Sequence, residues 1–305
     1  MTVFVAGGSG TIGAPLVRAL VGAGHRVVAT TRSAGKRGEL EALGAAAVVV
    51  DALDADALTQ AVRTAAPTHV IHELTALPKT GVRRARDLDA TNRLRDEGTR
   101  NLLEAAIAAG ATRFIAGSFA PIGSAPPPML EAPDLRDAVK ALQSMESQVL
   151  EAARTGAIEG VVLRYGLFYG PSNPATREMI SLVRRRRLPM IRGDDGVVPF
   201  IHMDDAVSAT VAALDCGASD SVYDIVDDTP ASFSEMVREM AAVAGAPRPF
   251  TAPFWLIRLL MPYAARMLTL KVPVSNAKAR AELHWRPRFP SYREGLRDVM
   301  RNQPA

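Results

Sequence analysis

Cysteine is almost absent from this 305-residue chain, in which Cys216 stands alone. A single thiol excludes an internal disulfide and any metal site built on paired cysteines, and no metal-ligating cluster is expected. Aromatic residues are sparse, at 5%, and no uncharged apolar run approaches the length that crosses a bilayer. The first expected strand begins at residue 2, which leaves no space for a cleavable leader, so the cytoplasm is the expected compartment. A surplus of one charge is missing too. The 36 basic residues are interspersed with 32 acidic ones, so the net charge of +4 makes no broad footprint for nucleic acid. The one dense basic run, Arg184 to Arg187, falls where a helix pattern ends; it reads as a solvated terminus favoured by the helix dipole, or as a place for an anionic ligand. Repeats and low-complexity tracts are lacking.

What the chain does have is 48% apolar content, enough to bury a sizeable core as one large domain or two unequal ones. Apolar runs alternate with helix-patterned segments: strands at 2–6, 26–31, 46–50, 69–74, 113–116 and 160–165, with helices between them, the longest at about 88–109 and 135–154. Strands apolar along their whole length are buried on both faces, as in a parallel sheet between two helical layers. The expectation is a doubly wound α/β (Rossmann) fold. After Gly170-Pro171 proline and glycine become frequent and helices dominate, apart from short strands at 198–201 and 222–226. This predicts a dinucleotide-binding unit over residues 1–170, with 197–226 returning to it, and a small, mostly helical substrate lobe from 171–196 and 227–305.

The first strand runs straight into Gly7-Gly8-Ser9-Gly10-Thr11-Ile12-Gly13 and then a helix. Glycines at this spacing between strand and helix permit a tight turn, a close backbone approach to a pyrophosphate and close helix packing. The phosphates would rest on free amides at the helix start. An acidic residue after the second strand would select a free ribose hydroxyl; here stand Arg32 and Ser33, with Lys36 and Arg37 close behind. A guanidinium there suits a 2′-phosphate, which points to NADP, with NAD as the alternative.

Together these residues resemble the extended short-chain dehydrogenase/reductase family of NAD(P)-dependent epimerases and dehydratases. The resemblance extends to Asp51-Ala52 after the third strand, Gly98-Thr99-x-Asn101-Leu-Leu, Leu163-Arg164-Tyr165 with Tyr169-Gly170-Pro171, Phe200-Ile201-His202-Met203-Asp204-Asp205, and a closing segment from Ala277 to Pro287. It implies that Asp51 and Ala52 meet the adenine end, that Leu74, Thr75, Ala76 and Ser118 line the cofactor, and that Tyr165, Gly166 and Leu167 flank the nicotinamide. A small-molecule substrate follows from it, and a homodimer is compatible with it.

The family's acid/base pair is missing. A Tyr and a Lys four residues apart on the helix after strand five would share one face, the Lys lowering the Tyr pKa. Aligning Glu146 with the family's acidic residue puts Ala138 and Leu142 in those places, and none of the five tyrosines is followed four residues later by Lys. The accompanying hydroxyl position falls on Phe119, with Ser118 one residue early. Candidate substitutes are Tyr165, Tyr169, Ser118 and Lys140. Glu73 is a further candidate, an acid in an otherwise apolar strand end whose burial would raise its pKa or demand a partner. His72 and His202 read as satisfied core histidines.

Three functions follow: reduction of a small, fairly apolar carbonyl or enone with NADP(H) and without the usual pair; nucleotide-sugar epimerisation or dehydration; or cofactor sensing without chemistry. Against the second, the family's diphosphate-binding Arg before Phe-Ile-His is replaced by Val198. The stretch Phe250–Lys271 is rich in aromatic, Met and Leu residues, including Trp255, Met261, Tyr263 and Met267. It reads as core of the second lobe or as the lining of an apolar cleft.

Overall fold

A computed structural model describes residues 1–78, 81–127, 131–192, 196–272 and 274–302. Its centre is a seven-stranded parallel sheet. In chain order the strands are β1 (Thr2–Ala6), β2 (Arg26–Thr31), β3 (Ala46–Val49), β4 (His69–His72), β5 (Arg113–Phe119), β6 (Glu159–Tyr165) and, after further elements, β10 (Ser221–Ile225). Across the sheet they lie in the order β10-β6-β5-β4-β1-β2-β3. The order reverses between β1 and β4, and in sheets of this kind ligands bind beyond the carboxyl ends of the strands at that reversal.

Alternate residues of each strand feed two separate cores, which is why the strands show no polar face. Val3, Val5, Ile71, Ile115, Leu163 and Tyr165 pack under α1 (Gly13–Gly22) and the helix Met203–Cys216, whose Ala206, Ala209 and Ala213 let it approach closely. On the other face Phe4, Val70, Phe114 and Val162 meet α3 (Ala55–Ala65), α5 (Thr99–Ala108) and α7 (Arg136–Arg154). The intervening α2 (Arg37–Ala42) and α6 (Ala120–Gly123) are short. The expected helix over 88–109 is not continuous: α4 (Asp89–Arg93) passes into a π-turn, Leu94–Gly98, before α5.

Three strands of three residues each were not expected: β7 (Leu167–Tyr169), β8 (Met190–Arg192) and β11 (Thr251–Pro253). β9 (Phe200–His202) pairs in parallel with β7 in a small sheet of its own, and β11 pairs with β8. Between and after them run α8 (Pro174–Arg184), α9 (Met203–Cys216), α10 (Phe233–Val243), α11 (Phe254–Leu260), α12 (Pro262–Leu268), α13 (Ala277–Glu282) and α14 (Tyr292–Arg301). Tyr169, Phe200, Met236, Met240 and Leu296 form a third core among them. A fourth joins Tyr263 and Met267 of α12 to Ile122, Leu135, Ala138 and Leu142. No described helix is long and apolar enough to cross a membrane.

The apolar stretch at 250–271 divides. Tyr263 and Met267 are buried, but Trp255 is 66% exposed and Leu259 73% exposed on α11, so that helix is not core. Arg184–Arg187 end α8 in solvent, in accord with a solvated helix terminus.

Candidate functional site

The glycine turn is shaped by backbone contacts that leave no space for side chains. Gly7 has φ +87, and a Cβ there would lie 2.6 Å from the Glu73 carbonyl oxygen. A Cβ on Gly13 would lie 2.2 Å from the Gly7 carbonyl oxygen. The Gly10 amide donates to that same carbonyl at 2.9 Å, closing the loop on itself. Hydroxyls of the neighbouring strand hold it from behind: the Gly7 amide donates to Thr30 Oγ1 and the Ser9 hydroxyl to Thr31 Oγ1. No side chain caps the start of α1 at Ile12; the Ala14 amide is taken by the Gly10 carbonyl and Pro15 has none, which leaves the amides of Thr11, Ile12 and Gly13 for an anion. A turn with no Cβ on its inner side and uncapped amides fits a dinucleotide pyrophosphate.

Arg32 is exposed at the end of β2, and Lys36 Nζ donates to the Ser9 carbonyl at 3.2 Å, so two cations stand beside the turn. Asp51 is exposed after β3 and turns its loop by accepting from the Leu53 amide; the buried Ala52 is tied to α5 through Asn101. β4 ends at His72, two residues before the expected end, so Glu73 to Ala76 lead away as a loop along the carboxyl edge of the sheet. Leu74 and Ala76 are partly open, Thr75 is exposed, and the Ala76 amide donates to Thr91 Oγ1. Gly166 fits against Phe200, whose backbone carbon would lie 2.8 Å from a Cβ there, and the Leu167 amide donates to the Pro199 carbonyl. These candidate cofactor positions thus lie along one edge of the sheet.

The candidate acid/base groups do not converge. Glu73 and Tyr165 meet on the α9 face: the tyrosine hydroxyl is 2.9 Å from Glu73 Oε1 and 2.7 Å from Thr210 Oγ1, and Thr210 donates to the Ala206 carbonyl at 2.8 Å. Gly117 opens the space for the carboxyl, since a Cβ there would touch it. Burial raises the Glu73 pKa to about 8, with the Tyr165 hydrogen bond opposing it. Burial, then the nearby Glu73 charge, push Tyr165 well above its ordinary range. Tyr165 donates to Glu73 Oε1 and shares a hydrogen bond with Thr210, which ties Glu73 to α9.

Ser118 belongs to the opposite face. Its hydroxyl donates to Glu146 Oε1 at 2.5 Å, and Arg164 holds both oxygens of that carboxylate, Nε at 2.9 Å and the outer nitrogen at 2.5 Å. The serine proton is already spent on Glu146. Lys140 is exposed on α7, two residues and so some 200° around from Ala138 and Leu142, which face inward. Tyr169 is buried, donating to Asp227 at 2.8 Å. Sequence reasoning gathered these residues by their place in the chain, whereas the alternation of β5 and β6 sends them to different sides of the sheet.

His72 is satisfied on both nitrogens, by the Leu74 amide and Thr99. His202 is not. Its Nδ1 accepts from the Asp204 amide at the start of α9, but Nε2 is buried without a hydrogen bond, 3.6 Å from Asp298. Burial lowers its pKa. Tyr263 of α12 shares an apolar cluster with Ala138 and Leu142, and the π-turn that carries Arg95 packs on α7. Among the described residues no group of three or more His, Cys, Asp or Glu is placed to hold a metal.

Comparison with known proteins agrees with this architecture. The profile of the NAD dependent epimerase/dehydratase family matches residues 3–226. A 3-diazoavenalumate denitrifying reductase from a Streptomyces species is 40% identical, over 97% of this chain and 99% of its own length. A 2-alkyl-3-oxoalkanoate reductase from Stenotrophomonas maltophilia is 26% identical over 81% of this chain and 77% of its own. Among solved structures, a UDP-glucose 4-epimerase from Thermotoga maritima superposes with a TM-score of 0.80 at 21% identity, covering 99% of this chain and 98% of that one. At that identity the likeness shows the fold alone.

Proposed function

The chain belongs to the NAD dependent epimerase/dehydratase family as an NAD(P)-dependent oxidoreductase, and from that premise we propose that it reduces a small, largely apolar acceptor with NADPH, without taking a proton from α7. Gly7, Gly10, Thr11, Ile12 and Gly13 would hold the pyrophosphate, Arg32 and Lys36 the 2′-phosphate, Asp51 and Ala52 the adenine end, and the edge from Leu74 to Ala76 with Ser118, Gly166 and Leu167 the nicotinamide half. Bound there, the reduced cofactor supplies a hydride.

One observation carries the reading. The inward face of α7 presents Ala138 and Leu142, both nearly fully buried, where a proton donor would stand. The acceptor must therefore gain a hydride without receiving a proton from that helix. An aromatic diazonium group meets this condition: a C–H bond replaces the C–N bond, dinitrogen leaves with the positive charge neutralised, and no proton is consumed. The relative at 40% identity is named for reducing a diazo acid with loss of nitrogen, which supports this acceptor class. An activated carbonyl or enone is the second reading, favoured by the reductase of 3-oxoalkanoates. Nucleotide-sugar epimerisation is less well supported, because Val198 is buried at 1% exposure and offers nothing to a diphosphate.

The test is isotopic. With NADPH deuterated at the transferred position and 3-carboxybenzenediazonium as acceptor, the arene product is expected to carry deuterium at the carbon that held nitrogen. Deuterium entering from heavy water instead, or NADPH that binds but is not consumed with this acceptor or with 3-oxo esters, overturns the proposal. Cofactor choice is tested separately by Arg32→Asp, which removes charge-assisted bonds of about 1.5–3 kcal/mol and adds repulsion. NADPH should bind about ten- to a hundredfold more weakly while NADH is unaffected or improved. An unchanged NADPH:NADH preference in fluorescence titration would remove Arg32 from the site.

A further inference from the structure

The sequence from Met240 to Ala281 contains cations but no acidic residue, and its middle forms a helix that the rest of the protein does not cover. Pro253 stands at the start of α11 and Pro262 opens α12, where it has no amide with which to continue α11. The helix is thereby held to a length of about 10 Å. It rests on β8 and α12, yet none of its residues is buried. Trp255, Leu259 and Leu260 lie mostly in solvent, and Phe250 and Met261 extend the apolar surface at either end. Trp255 and Leu259 are neighbours one turn apart, and Arg258 stands beside Trp255 on the same side. An exposed apolar surface rimmed by charge marks a place of interaction.

Other segments bring more cations to this surface. Arg192 is exposed directly across from Pro253 in the pairing of β8 with β11. The Arg83 carbonyl accepts from the Tyr263 amide, which sets the exposed Arg83 and Arg84 beside the corner between α11 and α12. Arg266 is exposed one turn into α12. Among the described residues, the carboxylates bonded within this collar are Asp87, which accepts from the Arg83 and Arg84 amides, and Asp134, 3.8 Å from Arg266. The collar keeps a positive balance around an apolar centre.

The charges select what covers it. A second copy laid face to face would set Arg258 against Arg258 and one collar against the other, and a helix of about 10 Å falls short of the about 800 Å² that each partner gives to a standard interface. Closure of α11 over an apolar cleft would carry Arg258 in beside Trp255, away from water. An anionic bilayer satisfies both kinds of side chain: Trp and Leu enter the boundary between headgroups and acyl chains, while the arginines reach the lipid phosphates. We propose that α11 is a membrane-docking helix, which seats this protein on an anionic phospholipid surface and lies in the plane of the interface without crossing it. The proposal is independent of the reaction, because neither cofactor nor acceptor takes part.

The test is sedimentation of the purified protein with sucrose-loaded vesicles of phosphatidylcholine, alone or with one-third phosphatidylglycerol. Binding to the anionic vesicles should exceed that to the neutral ones at least about tenfold and should weaken as salt is raised. The double variant W255S/L259S should lower it at least about tenfold, and R258E about fivefold or more. Both should keep the NADPH affinity of the wild type. Trp285 is 4% exposed, so lipid brominated in its acyl chains should quench Trp255 alone, and W255F should lose the quenching. If the double variant does not fold, R258E and the quenching decide. Binding to neither vesicle at millimolar lipid, equal binding to both, or undiminished binding by the folded variants overturns the proposal. So does a dimer in sedimentation equilibrium that W255S/L259S abolishes, the sign of a second copy. Protection of Trp255 from acrylamide when NADPH and a 3-oxo ester are added without lipid, the sign of a closing lid, overturns it as well.

Discussion

Gly13→Ala is expected to weaken NADPH binding at least about a hundredfold, equivalent to about 2.7 kcal/mol, while leaving a folded protein. The added methyl would lie 2.2 Å from the Gly7 carbonyl oxygen and 2.9 Å from Gly8 Cα, both backbone atoms that no rotamer change can remove. Relief requires the turn to open away from α1, which displaces the amides at the helix start and the Gly7 carbonyl that organises the loop through the Gly10 amide. Overpacking of this kind also costs about 1–3 kcal/mol of stability. Gly22, in the same helix, is the control, because a Cβ there meets nothing within 4 Å. Gly22→Ala should leave affinity unchanged and stability equal or slightly higher. Affinity of Gly13→Ala within about threefold of the wild type, measured by fluorescence titration on protein of native circular dichroism, would show that the turn does not hold the pyrophosphate.

The parts legible in the sequence are those where one physical demand governs a run of residues. β1, β2, β4 and β6 are buried on both sides at their centres, so each carries an unbroken apolar run, Val3–Ala6, Val27–Ala29, Val70–Ile71 and Val161–Leu163, and the helices between them carry one apolar stripe. The glycine turn was legible because close backbone contact excludes every other residue type at Gly7 and Gly13. The three-residue strands β7, β8 and β11 were not, since three residues carry no period and their pairing is set by the tertiary fold. The acid/base candidates failed to assemble because a residue's side of the sheet depends on its register, so Ser118 and Tyr165 diverge although both lie at strand ends.

Replacing Glu73 by Gln is expected to abolish a large, pH-dependent loss of stability in the wild type. An acid whose pKa is raised on folding, here to about 8, keeps its proton in the folded state after the unfolded chain has released it. Its contribution is fully present below the unfolded value near 4.5 and is lost as pH rises toward 8. The difference in pKa corresponds to an upper bound of about 3–5 kcal/mol over that interval. Other buried groups titrate as well, His72 on the acid side among them, but they are common to both proteins and cancel in the difference. Glu73→Gln preserves an oxygen for the Tyr165 hydroxyl and pays a fixed cost of about 1–2 kcal/mol for an amide with no acceptor beside Gly117. The variant should therefore be slightly less stable than the wild type at pH 5 and more stable at pH 9, the two urea-denaturation curves crossing between them. A difference that stays constant from pH 5 to pH 9 would mean that Glu73 ionises freely in the folded protein.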